Sequence, residues 1–169
     1  RPEVGRTSGR AERGTSNRSQ SSSDHVIERM SNRSVLLAFE ASVAGGIPIV
    51  AAIGQCFSAN QIESLQGILN GTSNVVLSKI ESTGCAIEDA IAEACAAGFA
   101  ESDPSEDLDG VDAAAKLSIL CALAFNLRVP PASIETRSTA SIGATEFAKA
   151  KLRGGTIRQV AHAAFNREH

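Results

Sequence analysis

The chain contains no tryptophan and no tyrosine, and its only aromatic residues are six phenylalanines. A core built from it must therefore rely on small aliphatic side chains, alanine above all, which suits close-packed helices. There is no C-x-x-C pair among Cys56, Cys85, Cys95 and Cys121, and the three histidines stand far apart, which argues against a structural zinc site. The cysteines read as reduced core residues of a cytoplasmic protein. No apolar run approaches the roughly 20 residues that span a bilayer, so no membrane partner is expected. With a formal net charge of −3, nothing asks for nucleic acid. A G-x-G-x-x-G fingerprint is also missing.

At 169 residues the chain suits one domain, or a domain with a tail. Its charge is uneven. Residues 1–23 carry five Arg and two Glu among Ser and Gly, a net of +3, which leaves −6 for the rest. That stretch has one large apolar residue, Val4, and cannot bury enough surface to offset its ordering entropy. It reads as a disordered basic tail, with an Arg- and Ser-rich presequence as the alternative. The expected domain is then residues 24–169.

Hydrophobic spacing divides that domain into alternating elements. Residues 25–33 read as a short helix, 34–39 as a strand, and 47–53 as the start of a helix behind Pro48. Residues 62–69 read as a strand and 70–72 as a turn. Helices follow over 73–83, closed by Gly84, and over 87–97, capped by Gly98. After an acidic loop, a helix over 112–126 carries Leu117, Leu120, Cys121 and Ala124 on one face and ends before Val129-Pro130-Pro131. Two more short helices are expected, at 144–153 and 157–165. The pattern implies an α/β (α+β) fold in which helices pack on a mixed β-sheet.

The acidic loop is the most informative stretch: Glu101, Asp103, Glu106, Asp107 and Asp109 fall within nine residues. Such mutual repulsion is relieved by solvent, by a cation or by a polar ligand. An EF-hand is excluded. With Gly110 at the required turn glycine, Lys116 takes the position of the bidentate glutamate, and an ammonium cannot ligate calcium. Asp112 and Lys116 stand i, i+4 on the following helix, so they share a face. They form either an ordinary exposed ion pair or, with the lysine beside several carboxylates, a group able to bind an anionic or hydroxylated substrate and, if burial lowers the lysine pKa, to move a proton. Gly71 and Thr72, between strand and helix, either cap the helix or offer N–H groups and a hydroxyl to a ligand. Glu40, followed by Gly45-Gly46, reads alone as a turn after a strand.

The strings EASVAGGIPIV (40–50), GILNGTSN (67–74), GFAESDPSEDLDGVDAAAK (98–116) and the LSILCALAF that follows resemble, in order and spacing, the catalytic region of the homoserine dehydrogenases. The resemblance covers about residues 34–127 and fades after Pro131. It implies an NADP- or NAD-dependent oxidoreductase that interconverts L-homoserine and L-aspartate semialdehyde on the route to threonine, methionine and isoleucine. Lys116 matches the family's catalytic lysine and Asp112 the acid that holds the substrate amino group or orients that lysine. Glu101 matches a glutamate that binds substrate and cofactor, Asp107 a further acid of the pocket, and Gly71 and Thr72 the turn that meets the substrate. Glu40, Val43, Gly45 and Ile47 match positions whose backbone carbonyls hold a sodium or potassium ion, ligation that suits a hard cation. Phe99 matches a further substrate-binding position, where many members carry tyrosine, so one hydrogen bond to the substrate is expected to be weakened.

The family's nucleotide-binding half, which should precede residue 34, has no counterpart in residues 1–23. The chain alone is therefore expected to bind NAD(P) weakly or not at all. The resemblance also implies a homodimer through the catalytic sheet. A truncated, non-catalytic dimerisation or substrate-binding module is the competing expectation. A cation-binding domain of other ancestry would explain the acidic loop but not the EASVAGG and NGT strings.

Overall fold

The computed structural model describes residues 37–165. The expected tail over 1–23, the boundary at residue 24 and the helix over 25–33 all lie outside the described residues, as does the first half of the strand over 34–39. The unit Phe39–His169 holds every element below.

Residues 37–39 take no regular form, and 40–47 make a turn. Helix α1, Ile49–Ala51, runs into one π-helical turn over Ala52–Cys56, with Pro48 as its N-cap rather than inside its first turn. Strand β1 covers Ser64–Gly67, shorter than the spacing predicts. Helix α2, Gly71–Thr83, starts two residues earlier than expected because Asn70 caps it, its Oδ1 accepting from the Ser73 N–H at 2.8 Å. Gly84 ends α2 in the left-handed region (φ 71°), its N–H returning to the Ile80 carbonyl. Helix α3, Ile87–Ala96, opens with Glu88 and Asp89 against the positive end of its dipole. Within the acidic loop Ser105–Leu108 form a single turn, α4.

Helix α5, Val111–Phe125, follows Gly110, whose φ of +81° an L side chain rarely adopts. A Cβ there would stand 3.4 Å from the Cβ of Thr136. Asn126, also left-handed, ends α5. A 3₁₀ turn at Pro131–Ser133 and helix α6, Ala144–Leu152, come next. The Glu146 carboxylate accepts from the Gly143 N–H at 3.2 Å and steadies the start of α6.

The helix expected over 157–165 does not form. Ala161–Ala164 is strand β2, antiparallel to β1 with Ser64 opposite Ala164 and Gly67 opposite Ala161. Alanine favours a helix locally, but β1 offers a row of unpaired backbone groups, and satisfying them outweighs a propensity worth tenths of a kcal/mol per residue. The fold is thus helices over a small sheet, as the α/β (α+β) reading implies. Among the described residues that sheet is one antiparallel pair.

Two apolar clusters hold the unit together. Val76, Leu77 and Ile80 of α2 meet Ala90 and Ala94 of α3, Leu108 of α4 and Phe147 of α6. Val43 and Ile53 meet Leu120 of α5, with Leu65 and Leu69 beside them. Helix α5 buries Leu117, Leu120 and Cys121, as its spacing predicts. The cysteines differ from their expected place in one respect: all four are unpaired, but only Cys121 is buried, and that burial pushes its thiol pKa up.

Candidate functional site

The N-terminus of α2, the turn α4 and the N-terminal half of α5 converge on one cluster. Asn70 is 3% exposed. Its Nδ2 donates to Asp107 Oδ1 on α4 and, at 2.8 Å, to Asp112 Oδ2 on α5. Lys116 Nζ lies 2.6 Å from the same Asp112 oxygen, and both side chains of that ion pair are partly shielded. Among the described residues Asp107 Oδ2 and Asp112 Oδ1 carry no hydrogen bond, and Lys116 has no second partner. The cluster therefore presents two unused carboxylate oxygens and two unused ammonium hydrogens.

The backbone beneath α4 is fixed from three sides. The Asp107 carbonyl accepts from Ser73 Oγ at 2.7 Å and from Gln159 Nε2 at 3.0 Å. The Leu108 carbonyl accepts from the N–H and the hydroxyl of Thr139. Asp107 is thus held on a short turn that would be weak alone. Gln159 and Thr139 come from the C-terminal part of the chain, which shows no motif; nothing in their spacing signals this role.

Thr72 does not cap α2. Its hydroxyl donates at 2.8 Å to the carbonyl of Phe99, which draws the 97–101 turn onto the first turn of α2. Phe99 is 59% exposed. Two residues on, Glu101 is exposed, and its carbonyl accepts from Cys95 Sγ at 3.0 Å while its carboxylate makes no hydrogen bond. The N–H groups of Gly71 and Thr72 open the helix without an intrahelical partner, as first-turn donors do. Lys116, Asp112, Asp107, Gly71 and Thr72 thus belong to one neighbourhood, with Phe99 and Glu101 at its margin.

The turn at 40–47 is a separate feature. The Glu40 carboxylate accepts from the N–H groups of Val50 and Ala51 at 2.8 and 2.9 Å, so this side chain serves α1. The Glu40 and Ile47 carbonyls each accept one backbone bond, from Val43 and Ile49. Val43 is fully buried, yet its carbonyl accepts no hydrogen bond among the described residues, and neither does that of Gly45. A buried carbonyl without a partner is rare, and a hard cation is one way to satisfy it. No cluster of His, Cys, Asp and Glu suited to a metal occurs among the described residues.

The family model described as homoserine dehydrogenase matches residues 48–168. The chain belongs to the homoserine dehydrogenase family. The homoserine dehydrogenase of Corynebacterium glutamicum is 41% identical over 125 residues, which cover 74% of this chain and 28% of that protein. That of Neisseria gonorrhoeae is 50% identical over 102 residues, 60% of this chain and 23% of that protein. The solved homoserine dehydrogenase of Thiobacillus denitrificans superposes with a TM-score of 0.78 at 37% identity, covering 84% of this chain and 33% of that one. A putative homoserine dehydrogenase from Archaeoglobus fulgidus gives a TM-score of 0.76 at 33% identity, covering 83% and 44%. The chain spans less than half the length of each of these relatives. The matched residues of the family model contain Asn70, Asp107, Asp112 and Lys116, whereas the 40–47 turn precedes them.

Proposed function

We propose that this chain is the substrate-binding and proton-transfer part of an NADP- or NAD-dependent homoserine dehydrogenase. The observation that carries this is the bridged acid cluster: two carboxylates, each with an open oxygen, beside a half-shielded lysine. An amino-acid substrate needs acceptors for its ammonium, and Asp107 Oδ2 and Asp112 Oδ1 supply them, with the Glu101 carboxylate at the margin. The N–H groups of Gly71 and Thr72 at the start of α2 face its carboxylate. As the neutral amine, Lys116 Nζ takes the hydroxyl proton when L-homoserine is oxidised, and as the ammonium it gives a proton to the aldehyde oxygen of L-aspartate semialdehyde in reverse. The hydrogen bond to Asp112 holds Nζ in place for both directions.

When bound, the nicotinamide cofactor supplies the hydride acceptor or donor. Glu101 is the residue of this chain that would meet it. With no G-x-G-x-x-G in the sequence, the chain alone binds it weakly or not at all. The carbonyls of Glu40, Val43, Gly45 and Ile47 would hold a sodium or potassium ion, which gives the buried Val43 oxygen a partner and stiffens the turn against α5. A homodimer through the catalytic sheet and a cytoplasmic location complete the reading; the unpaired cysteines support the latter.

Nicotinamide absorbance during homoserine oxidation tests the proposal. The chain is compared with a full-length dehydrogenase in which it is extended by the segments its relatives carry outside this span. Turnover by the full-length protein and none by the chain alone is expected. Turnover by neither would favour the competing reading, a dimerisation or substrate-binding module without catalysis.

A further inference from the structure

We infer that Asn70 is a positioning residue of this site, holding Asp107, Asp112 and through them Lys116 in one arrangement. Its effect on turnover rests on the dehydrogenase reading; its geometry does not. A helix cap needs only an acceptor, and Asp, Ser or Thr would serve α2 about as well. Only an amide adds two donors, and Asn70 uses both on carboxylates 37 and 42 residues further along the chain. The orientation of the amide is fixed by its partners. Turned over, it would set Nδ2 against the Ser73 N–H and Oδ1 against two carboxylates, all repulsive.

Every hydrogen-bonding atom of the side chain is thus used at a position 3% exposed. Two consequences follow. A neutral double donor between two acids offsets part of their repulsion and fixes which oxygen of each remains open. And because Asp112 Oδ2 accepts from both Asn70 and Lys116, the amide sets where that oxygen lies and so where Nζ lies.

Asn70→Ser tests this, since it keeps a capping acceptor but removes both donors. In the full-length enzyme kcat should fall about 10- to 100-fold, the loss expected when a reacting group is misplaced by about an ångström. On a Lys116→Ala background the same change should cost little more, because the misplaced group is already gone. An equal fold-loss on both backgrounds, together with a lower Tm, would mean that Asn70 only supports the fold, and would overturn the inference. A second measurement uses the 169-residue chain and does not depend on activity. The Asn70 side-chain amide protons should exchange slowly with solvent, and Asp112→Ala should speed the exchange. If the full-length enzyme turns out inactive, the proposed function falls and this exchange alone decides Asn70. Fast exchange in the unaltered chain would overturn the inference.

Discussion

Two ion pairs in this molecule have the same length and different characters. Lys116 meets Asp112 at 2.6 Å, and Arg158 meets Glu81 at 2.6 Å. Around Glu81 both carboxylate oxygens are taken: one accepts from the Arg158 guanidinium and the other from the Thr156 hydroxyl, while Arg158 also reaches the Thr156 hydroxyl and the Ile157 carbonyl. That pair fastens the stretch before β2 to α2. Around Asp112 capacity is left over, on its own Oδ1, on Asp107 Oδ2 and on Lys116. Pair length does not separate a clamp from a site; unspent hydrogen bonds do.

The sharpest way to break this comparison is Lys116→Ala. In the full-length enzyme it should lower turnover by about 100- to 10,000-fold, the range that positioned proton transfer contributes. Its cost in stability should stay within about 1 kcal/mol, as for other partly exposed pairs. A large fall in Tm with turnover intact would make Lys116 a clamp like Arg158. Next in size is Asp107→Asn, which keeps shape but removes one ammonium acceptor. KM for homoserine should rise about tenfold or more, with a smaller change in kcat, in steady-state assays. Gly110→Ala tests the frame rather than the chemistry. The strained φ and the contact with Thr136 should lower stability by about 1–2 kcal/mol in denaturant melts.

The clamp gives the smallest effect, and one confined to stability. The Thr156 hydroxyl, and then the Arg158 guanidinium, hold the Glu81 carboxyl below its ordinary value. A carboxyl lowered by folding adds stability above its unfolded pKa, and that contribution is lost as pH falls through the folded value. Glu81→Gln should therefore lower Tm slightly at neutral pH and leave turnover alone. The difference from the unaltered protein should shrink as melts are taken into the acid range. A difference that grows on acidification would contradict the assignment.

The same contrast explains what could be read before the fold was seen. Asp112 and Lys116 were legible because i, i+4 spacing is local, and α2, α3 and α5 because a closing glycine or an apolar stripe is local too. Asn70 was visible only as part of a turn. Its role depends on residues 37 and 42 positions away, and no spacing rule reaches that far. Thr72 looked like a cap because threonine often is one, and only the Phe99 carbonyl shows otherwise. The alanines of 161–164 favoured a helix until β1 supplied a partner. Thr139 and Gln159, which hold α4 in place, have no signature at all. Local order was readable; the cross-chain hydrogen bonds that assemble the acid cluster were not.

The central claim is that the open oxygens of Asp107 and Asp112 receive the substrate's ammonium. It is tested most directly by following the two carboxyl ¹³C signals in the 169-residue chain while L-homoserine is added, with 4-hydroxybutyrate, which lacks the ammonium, as control. Both signals should move with homoserine and stay still with the control. Equal movement with both compounds, or none at these two acids while signals elsewhere move with homoserine, would contradict the account.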